Sequence, residues 1–289
     1  MRCDLHVHTN RSGMCTVPLM SGICRECYND PLELYQLLKR RGMDLVTVTD
    51  HDSIDAGAAL QHFPDFFLSE EVTCTTPSGT QLHMGVYGID ERQHVQLACL
   101  RHDLPALIAY LSEQKLFFSI NHILSSLTGP RTGADFAMFE RHVPGLETRN
   151  GQIPPRCNRA AHLLAERWGK APVGGRDAHT MAALGKTFTE VGGARNAGEF
   201  LVGLSQARGR VHGEHGAYGK LTRAVWQIGF ELMREHPWTV ALAPLMLAVP
   251  FVTIGNLARE LAFESKWSPR LIPAGKVWDR AVKAAQPAA

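Results

Sequence analysis

Residues 2–8 read Arg-Cys-Asp-Leu-His-Val-His, and Thr9-Asn10-Arg11-Ser12 follow. In a strand, alternate side chains share a face. His6 and His8 then point one way, and Leu5 and Val7 the other. Two imidazoles on one face at a strand end make a compact holder for a divalent cation. Two surface histidines on an N-terminal arm explain the same pair equally well. The decision rests on whether later residues bring carboxylates and imidazoles to equivalent places.

They do so repeatedly. A β-branched run at 43–49 ends in Asp50-His51-Asp52. Glu70 and Glu71 lie in the strand-like run 66–73, and His83 lies in 81–87. His122 follows a strand at 116–120, Glu147 sits in a short strand at 145–148, and Asp177 and His179 follow 171–174. Any one of these has a bland reading; His83 fits a hydrogen-bonded core histidine. Together they are hard to explain by packing, because burying ionisable groups costs several kcal/mol unless they are paired or bind metal.

Helices expected between the strands would hold these groups apart in sequence and together in space. Asp30 caps a helix opening at Pro31, whose Leu34, Leu37 and Leu38 give helical spacing and whose end is marked by Arg40, Arg41 and Gly42. Further helices are expected at 104–114, 158–168 and 197–207. Alternation of this kind argues for a mostly parallel sheet. In a β/α barrel, one mouth is built from strand C-termini and the loops after them, and every titratable cluster above would meet there.

Composition narrows the class. Thirty Lys and Arg against 28 Asp and Glu leave a net charge of +2 in 289 residues, so no dominant nucleic-acid surface is expected. Seven cysteines and no apolar leader ahead of residue 10 point to free thiols in a reducing cytoplasm. The tail differs in kind. Residues 221–234 read as an amphipathic helix, and 236–258 contain no Asp, Glu, Lys or Arg. Its centre, 238–255, meets the lower length limit for a membrane span but holds Pro244 and Pro250. Arg223 and Arg234 on one side, and Arg259 and Lys266 on the other, set no orientation. Three readings stand for this stretch: a membrane-anchoring or re-entrant hairpin at the inner face of the membrane, a buried cap or oligomer contact, and disorder. Residues beyond 268 read as a loosely held end.

The ordered set Asp4-Leu5-His6-Val7-His8-Thr9 with Ser12, Val48-Thr49-Asp50-His51-Asp52, Glu71, His83, His122 and Asp177-Ala178-His179 closely resembles the PHP (polymerase and histidinol phosphatase) superfamily. The resemblance covers 1–215 and leaves 216–289 as a helical tail outside it. It implies an α/β fold, a distorted (β/α)7 barrel, and a phosphoesterase using two divalent metal ions, with a third position. By that resemblance His6, His8, Glu71 and Asp177 hold one metal; Glu71 bridges to a second completed by His83 and His122; His51 and His179 look into the third. Asp50 is expected to orient a neighbour. Members with a filled third site place an acid or histidine just after the Ser of the first motif. Here Gly13, Met14 and Cys15 stand there, so either that metal is absent or Cys15 substitutes, favouring zinc. Cys24 and Cys27 form a lone CxxC, read as ordinary free thiols.

Two adjacent cations can bind a phosphoryl oxygen and a bridging hydroxide, lowering the water pKa and neutralising charge that builds on phosphorus. Arg149, Arg176 and Arg131 are candidates to bind the phosphate. Glu71, His51 and His179 are the candidate catalytic residues, either histidine able to protonate a leaving oxygen if no third metal holds it. Manganese, zinc or iron suits the histidine-rich set better than magnesium alone. The expected substrate is a small phosphorylated metabolite or short nucleotide, with no stable duplex partner and with membrane contact through 236–258. Two other functions fit the same residues: a C–N hydrolase on the same barrel, which needs no arginine near the metals, and a non-catalytic module with an anchoring tail.

Overall fold

The computed structural model describes residues 1–17 and 20–272; the expected tail residues 273–289 lie outside them. In chain order the elements are β1 (Arg2–Cys3), α1 (Pro31–Arg40), α2 (Gly57–Leu60), β2 (Ser69–Thr75), β3 (Gln81–Tyr87), α3 (Glu91–Leu100), α4 (Leu104–Glu113), β4 (Phe117–Ile120), α5 (Gly133–His142), β5 (Gly145–Asn150), α6 (Pro155–Trp168), β6 (Ala171–Gly175), β7 (Thr187–Val191), α7 (Ala197–Ser205), β8 (Gly209–Gly213), α8 (Tyr218–Glu235), a 3-10 segment Pro237–Ala248, and α9 (Val249–Leu271).

Local chemistry accounts for the helix ends. Asp30 accepts from the amides of Leu32 and Glu33, and Pro31 occupies the first turn, where its missing N–H costs nothing. A capping box of Asp90 and Gln93 opens α3, and another of Thr132 and Asp135 opens α5. Neither helix is evident from apolar periodicity; α3 buries only Leu97.

The sheet is less parallel than alternation suggests. Five strands run β2-β3-β4-β5-β6 and three run β1-β7-β8. Pairing is parallel at β4–β5 and β5–β6 but antiparallel at β2–β3, β3–β4, β1–β7 and β7–β8. The turn at Thr76–Gly79 makes β2 and β3 a direct hairpin, which a parallel order cannot contain. The pairing does not amount to a regular closed barrel. Residues 4–8 and 43–51 form no continuous ladder; they join their neighbours through the isolated parallel bridges Val7–Ala178, Val46–Phe66 and His51–Glu71 and through single backbone bonds such as that from the Thr49 amide to the Val7 carbonyl. Those bridges carry the first two motifs between the ends of β6 and β2.

Leu34, Leu38, Val46 and Val48 pack beneath the first loop, and Val86, Ile120, Leu146 and Leu164 fill the centre of the larger sheet's core. The tail joins this body. Trp267 of α9 packs on Phe136 with ring centroids 4.8 Å apart, and Ile272 is buried, so residues 269–272 are not a loose end. Of the three readings of 236–258, disorder is set aside, because the stretch is helical.

Candidate metal centre

Burial concentrates the site at the strand ends. His6 Nε2 lies 3.1 Å from Glu71 Oε2 and 3.6 Å from Asp177 Oδ1. His8 Nε2 lies 3.4 and 3.5 Å from the same two oxygens. The other Glu71 oxygen, Oε1, faces His83 Nδ1 at 3.5 Å and His122 Nε2 at 3.6 Å. One carboxylate therefore divides its oxygens between two sets of imidazoles, as a bridging ligand must. Three groups have ligand atoms within 4.8 Å of one another: His6 with His8 and Asp177, His8 with His51 and Glu71, and Glu71 with His83 and His122.

The inner ligands are fixed from behind. His6 Nδ1 bonds Glu147 Oε1 at 2.8 Å, which turns its Nε2 toward the cluster. His8 Nδ1 bonds Ser12 Oγ at 2.9 Å. Asn121 donates to Glu71 Oε1, and Asn150 donates to both Asp177 and Glu147. Such partners set tautomer and ring orientation and raise ligand basicity. Asp50 accepts from the amide and hydroxyl of Thr9, both at 2.6 Å, and so braces the turn after His8. Backbone geometry also contributes. Asp177 and His122 hold left-handed φ angles of 53° and 34°, unusual outside glycine. Gly175 lets β6 pass against the first segment, since a Cβ there would fall 2.3 Å from that of His6.

Charges in the cluster are strongly coupled. Burial would push His6 down, but the carboxylates of Glu71, Asp177 and Glu147 hold it well above its ordinary value. Burial opposes ionisation of Glu71 and Asp177, yet the surrounding imidazoles, His6 foremost, hold both well below the carboxylate range. His8, desolvated and facing His179, falls to about 4 and is neutral at pH 7, the form that binds metal. Its Nε2 is buried beside two carboxylate oxygens and lacks a hydrogen-bond partner. An unpartnered imidazole nitrogen among ionised carboxylates fits a cation's coordination sphere, and the nitrogen–oxygen donor set suits manganese, zinc or iron.

Glu26 escaped the sequence reading. Its Oε1 lies 3.2 Å from His51 Nε2 and 3.1 Å from His179 Nε2. A small hairpin brings it there: Met14 bridges Arg25, the Cys15 amide donates to the Cys24 carbonyl at 2.9 Å, and the Glu26 amide donates to the Gly13 carbonyl at 3.1 Å. Glu26 thus sits directly across from Gly13, where the expected acid is missing. Its one sequence signal is that it is the only acid between residues 10 and 29. Cys15, Glu26 and His179 all lie outside the three ligand groups, but Glu26 reaches both His51 and His179 through the contacts above. Cys27 donates to the His8 carbonyl at 3.1 Å, and burial pushes both CxxC thiols up, so they serve packing.

The arginines do not join the cluster. A cavity of about 390 Å³ is lined by Glu26, His51, Glu71, His83, His122, Asp177 and His179, and no Arg or Lys among the described residues lines it. Arg131 is buried elsewhere, donating to Thr128, Thr80 and the Pro130 carbonyl. Arg149 donates to the Gly213 carbonyl. Arg176 neighbours Asp177 in sequence, but its side chain lies against Gly151. The far wall comes from the tail: Tyr218 and Leu221 of α8, and Asn256, Leu257 and Glu260 of α9.

Residues 155–208 match the PHP-associated family. No curated protein matches the chain in sequence. Among solved structures, a two-domain protein from Bacteroides vulgatus containing a predicted PHP-like metal-dependent phosphoesterase superposes with a TM-score of 0.57 at 15% identity, covering 78% of this chain and 69% of that one. PsfC from Pseudomonas syringae gives 0.55 at 19% identity, covering 81% and 98%. A lesion-specific endonuclease from Pyrococcus furiosus gives 0.50 at 14% identity, covering 73% and 57%. At these identities the likeness is one of fold.

Proposed function

We propose that this chain is a PHP-type metal-dependent hydrolase of phosphate esters on small metabolites or short nucleotides. The observation that carries the reading is Glu71, whose two oxygens face separate imidazole sets inside one cavity. His6, His8, Glu71 and Asp177 would hold one ion, and Glu71, His83 and His122 a second. Glu26 completes a third set with His51 and His179, in place of the acid missing at Gly13. Bound ions of this kind lower the pKa of water and neutralise charge on phosphoryl oxygens. That contribution matters here because no Arg or Lys among the described residues lines the cavity.

The chain's own residues position the reactants. Glu147, Ser12, Asn121 and Asn150 hold the ligands in register. His51 and His179 share the Glu26 carboxylate, which keeps their Nε2 atoms turned inward. With Glu26 between them, they act as a ligand set rather than as free acids. Tyr218, Leu221 and Leu257 close the side away from the ligands and exclude water from part of the substrate. About 390 Å³ suits a small substrate and leaves no room for a duplex. We assign residues 1–215 to the hydrolase unit and the residues from 216 onward to a tail that finishes its wall. The free thiols fit the reducing cytoplasm.

Asp177→Ala should lose bound metal and phosphate-ester turnover together. Unchanged turnover by a metal-free Asp177→Ala protein would refute the reading. A second reading, hydrolysis of a C–N bond, is favoured by the same lack of a lining arginine. A phosphate-free amide and amidine panel separates the two: turnover there, with none on phosphate esters, would replace the first reading with the second.

A further inference from the structure

The charge-free stretch 236–258 carries the largest apolar side chains left in solvent. Trp238, Val240, Leu245, Leu247, Phe251 and Val252 are each more than half exposed, Leu247 and Phe251 by 78% and 76%. Monomeric soluble proteins rarely leave so many large apolar groups together in water. The stretch is not loose. Thr222 of α8 bonds Thr253 of α9 at 2.8 Å, and the Trp226 indole donates to the Met246 carbonyl at 3.0 Å. The two helices and the 3-10 segment therefore form one firm body with an unpartnered outer face.

Charge identifies what covers that face. The described tail has six exposed cations, Lys220, Arg223, Arg234, Arg259, Lys266 and Arg270, of which Lys220 is paired with Glu214. Of its four acids, Glu260 and Glu264 are buried against the hydrolase unit, where Glu260 accepts from Ser126 and Glu264 pairs with Arg156. The remaining two, Glu231 and Glu235, are already paired with Arg234 and Arg25. On α8, Arg223, Trp226, Phe230 and Arg234 are exposed at helical spacing, so arginines bracket two aromatic rings along one stripe. Apolar and indole groups rimmed by cations suit the interface of an anionic bilayer. A second copy of the chain suits it poorly, because a two-fold contact sets the same cationic rim against itself.

The run Pro237–Leu271 is long and apolar enough to cross a membrane. Its inner side does not permit that. Glu260, Glu264 and Trp267 are committed to protein contacts, and pulling them into hydrocarbon would strand two carboxylates. We propose that α8, the 3-10 segment and α9 lie flat on an anionic lipid bilayer as an interfacial anchor. The cavity's wall residues Asn256 and Leu257 stand on the same helix as exposed Phe251, Val252 and Ile254, so the anchor and one wall of the cavity share α9.

Sedimentation of the metal-loaded full chain with phosphatidylcholine vesicles, with and without phosphatidylglycerol, tests this independently of any substrate. We expect roughly tenfold or greater enrichment on the anionic vesicles, reversed by high salt. The double variant Leu247→Ser with Phe251→Ser should stay in the supernatant while keeping wild-type circular dichroism and metal content. Arg223→Glu with Arg259→Glu should weaken binding on anionic vesicles only. Recovery of the wild type in the supernatant with both vesicle types would overturn the proposal, as would sedimentation of the double variant like the wild type. A dimer that the double variant splits, without vesicle binding, would assign the face to a second copy. Resistance to alkaline carbonate extraction would overturn the flat arrangement in favour of a spanning one.

Discussion

The inner ligand sets and the third position are built differently, although they share a cavity. His6, His8 and Glu71 are at most 1% exposed and are gripped from behind by Glu147, Ser12 and Asn121. At the third position the side chains of His51, His179 and Glu26 are 16%, 14% and 27% exposed, and among the inner ligands only His83, at 19%, is comparably open. Glu71 and His83 lie within paired strands, and His6 and His8 are fixed by an isolated bridge at Val7 and by their hydrogen-bond partners. The third depends on a hairpin within residues 10–29. A rigid pair joined to an adjustable third position is therefore the expected division, with tight retention inside and easier exchange outside.

That contrast fails outright if Glu71 is dispensable. Glu71→Gln should remove both inner ions and lower turnover on the order of 10³-fold or more, read by elemental analysis and by phosphate release. The grip on His6 is the next place to press. Glu147→Ala should weaken metal affinity by about 10- to 100-fold, by titration against a chelator, while leaving a folded protein. Glu26→Ala should produce a smaller loss, about tenfold in turnover, and should release one ion while the inner pair remains. Equal retention of all ions in Glu26→Ala would erase the difference between the two regions.

Protonation sharpens the same comparison. Coordination requires neutral imidazole. Burial works against protonation of His51, but Glu71 and Glu26 outweigh it and raise the ring to about 9 without metal. A raised value means a proton must leave on binding, so apparent affinity at the third position should climb as pH rises through neutrality. In the inner set His8, held at about 4, contributes no such dependence in that range, whereas His6, held well above its ordinary value by the carboxylates around it, must also release a proton on binding. A pH-independent third-site affinity would contradict this electrostatic picture. The smallest effect belongs to Arg149. Arg149→Ala should change turnover by less than about twofold, since its guanidinium serves the Gly213 carbonyl rather than the cavity.

The legible part of this site is the part carried by strand ends. Alternation put His6 and His8 on one face, and chain order put Glu71, His83, His122 and Asp177 after or within later strands, where the structure gathers them. Glu26 was illegible because its position comes from hairpin pairing across to Gly13, a contact between residues with no periodic signal. The arginines misled for a related reason: sequence places Arg131 in a loop and Arg149 at the end of a strand but does not give the direction in which either side chain turns. For the sheet, the hairpin of β2 and β3 was hidden by two strand signals separated by a turn that alternation alone leaves open. The tail was half legible. Its charge-free run was plain, but the buried glutamates that tie α9 to α6 and the loop after β4 appear only in three dimensions.

The most direct measurement is the metal content per chain of the full-length wild type, Glu26→Ala and Glu71→Gln, purified side by side under metal-replete conditions. The account predicts an ion for each ligand set in the wild type, loss of the third alone in Glu26→Ala, and loss of the inner pair in Glu71→Gln. A wild type that holds no metal, or a Glu71→Gln protein that holds as much as the wild type, would contradict it.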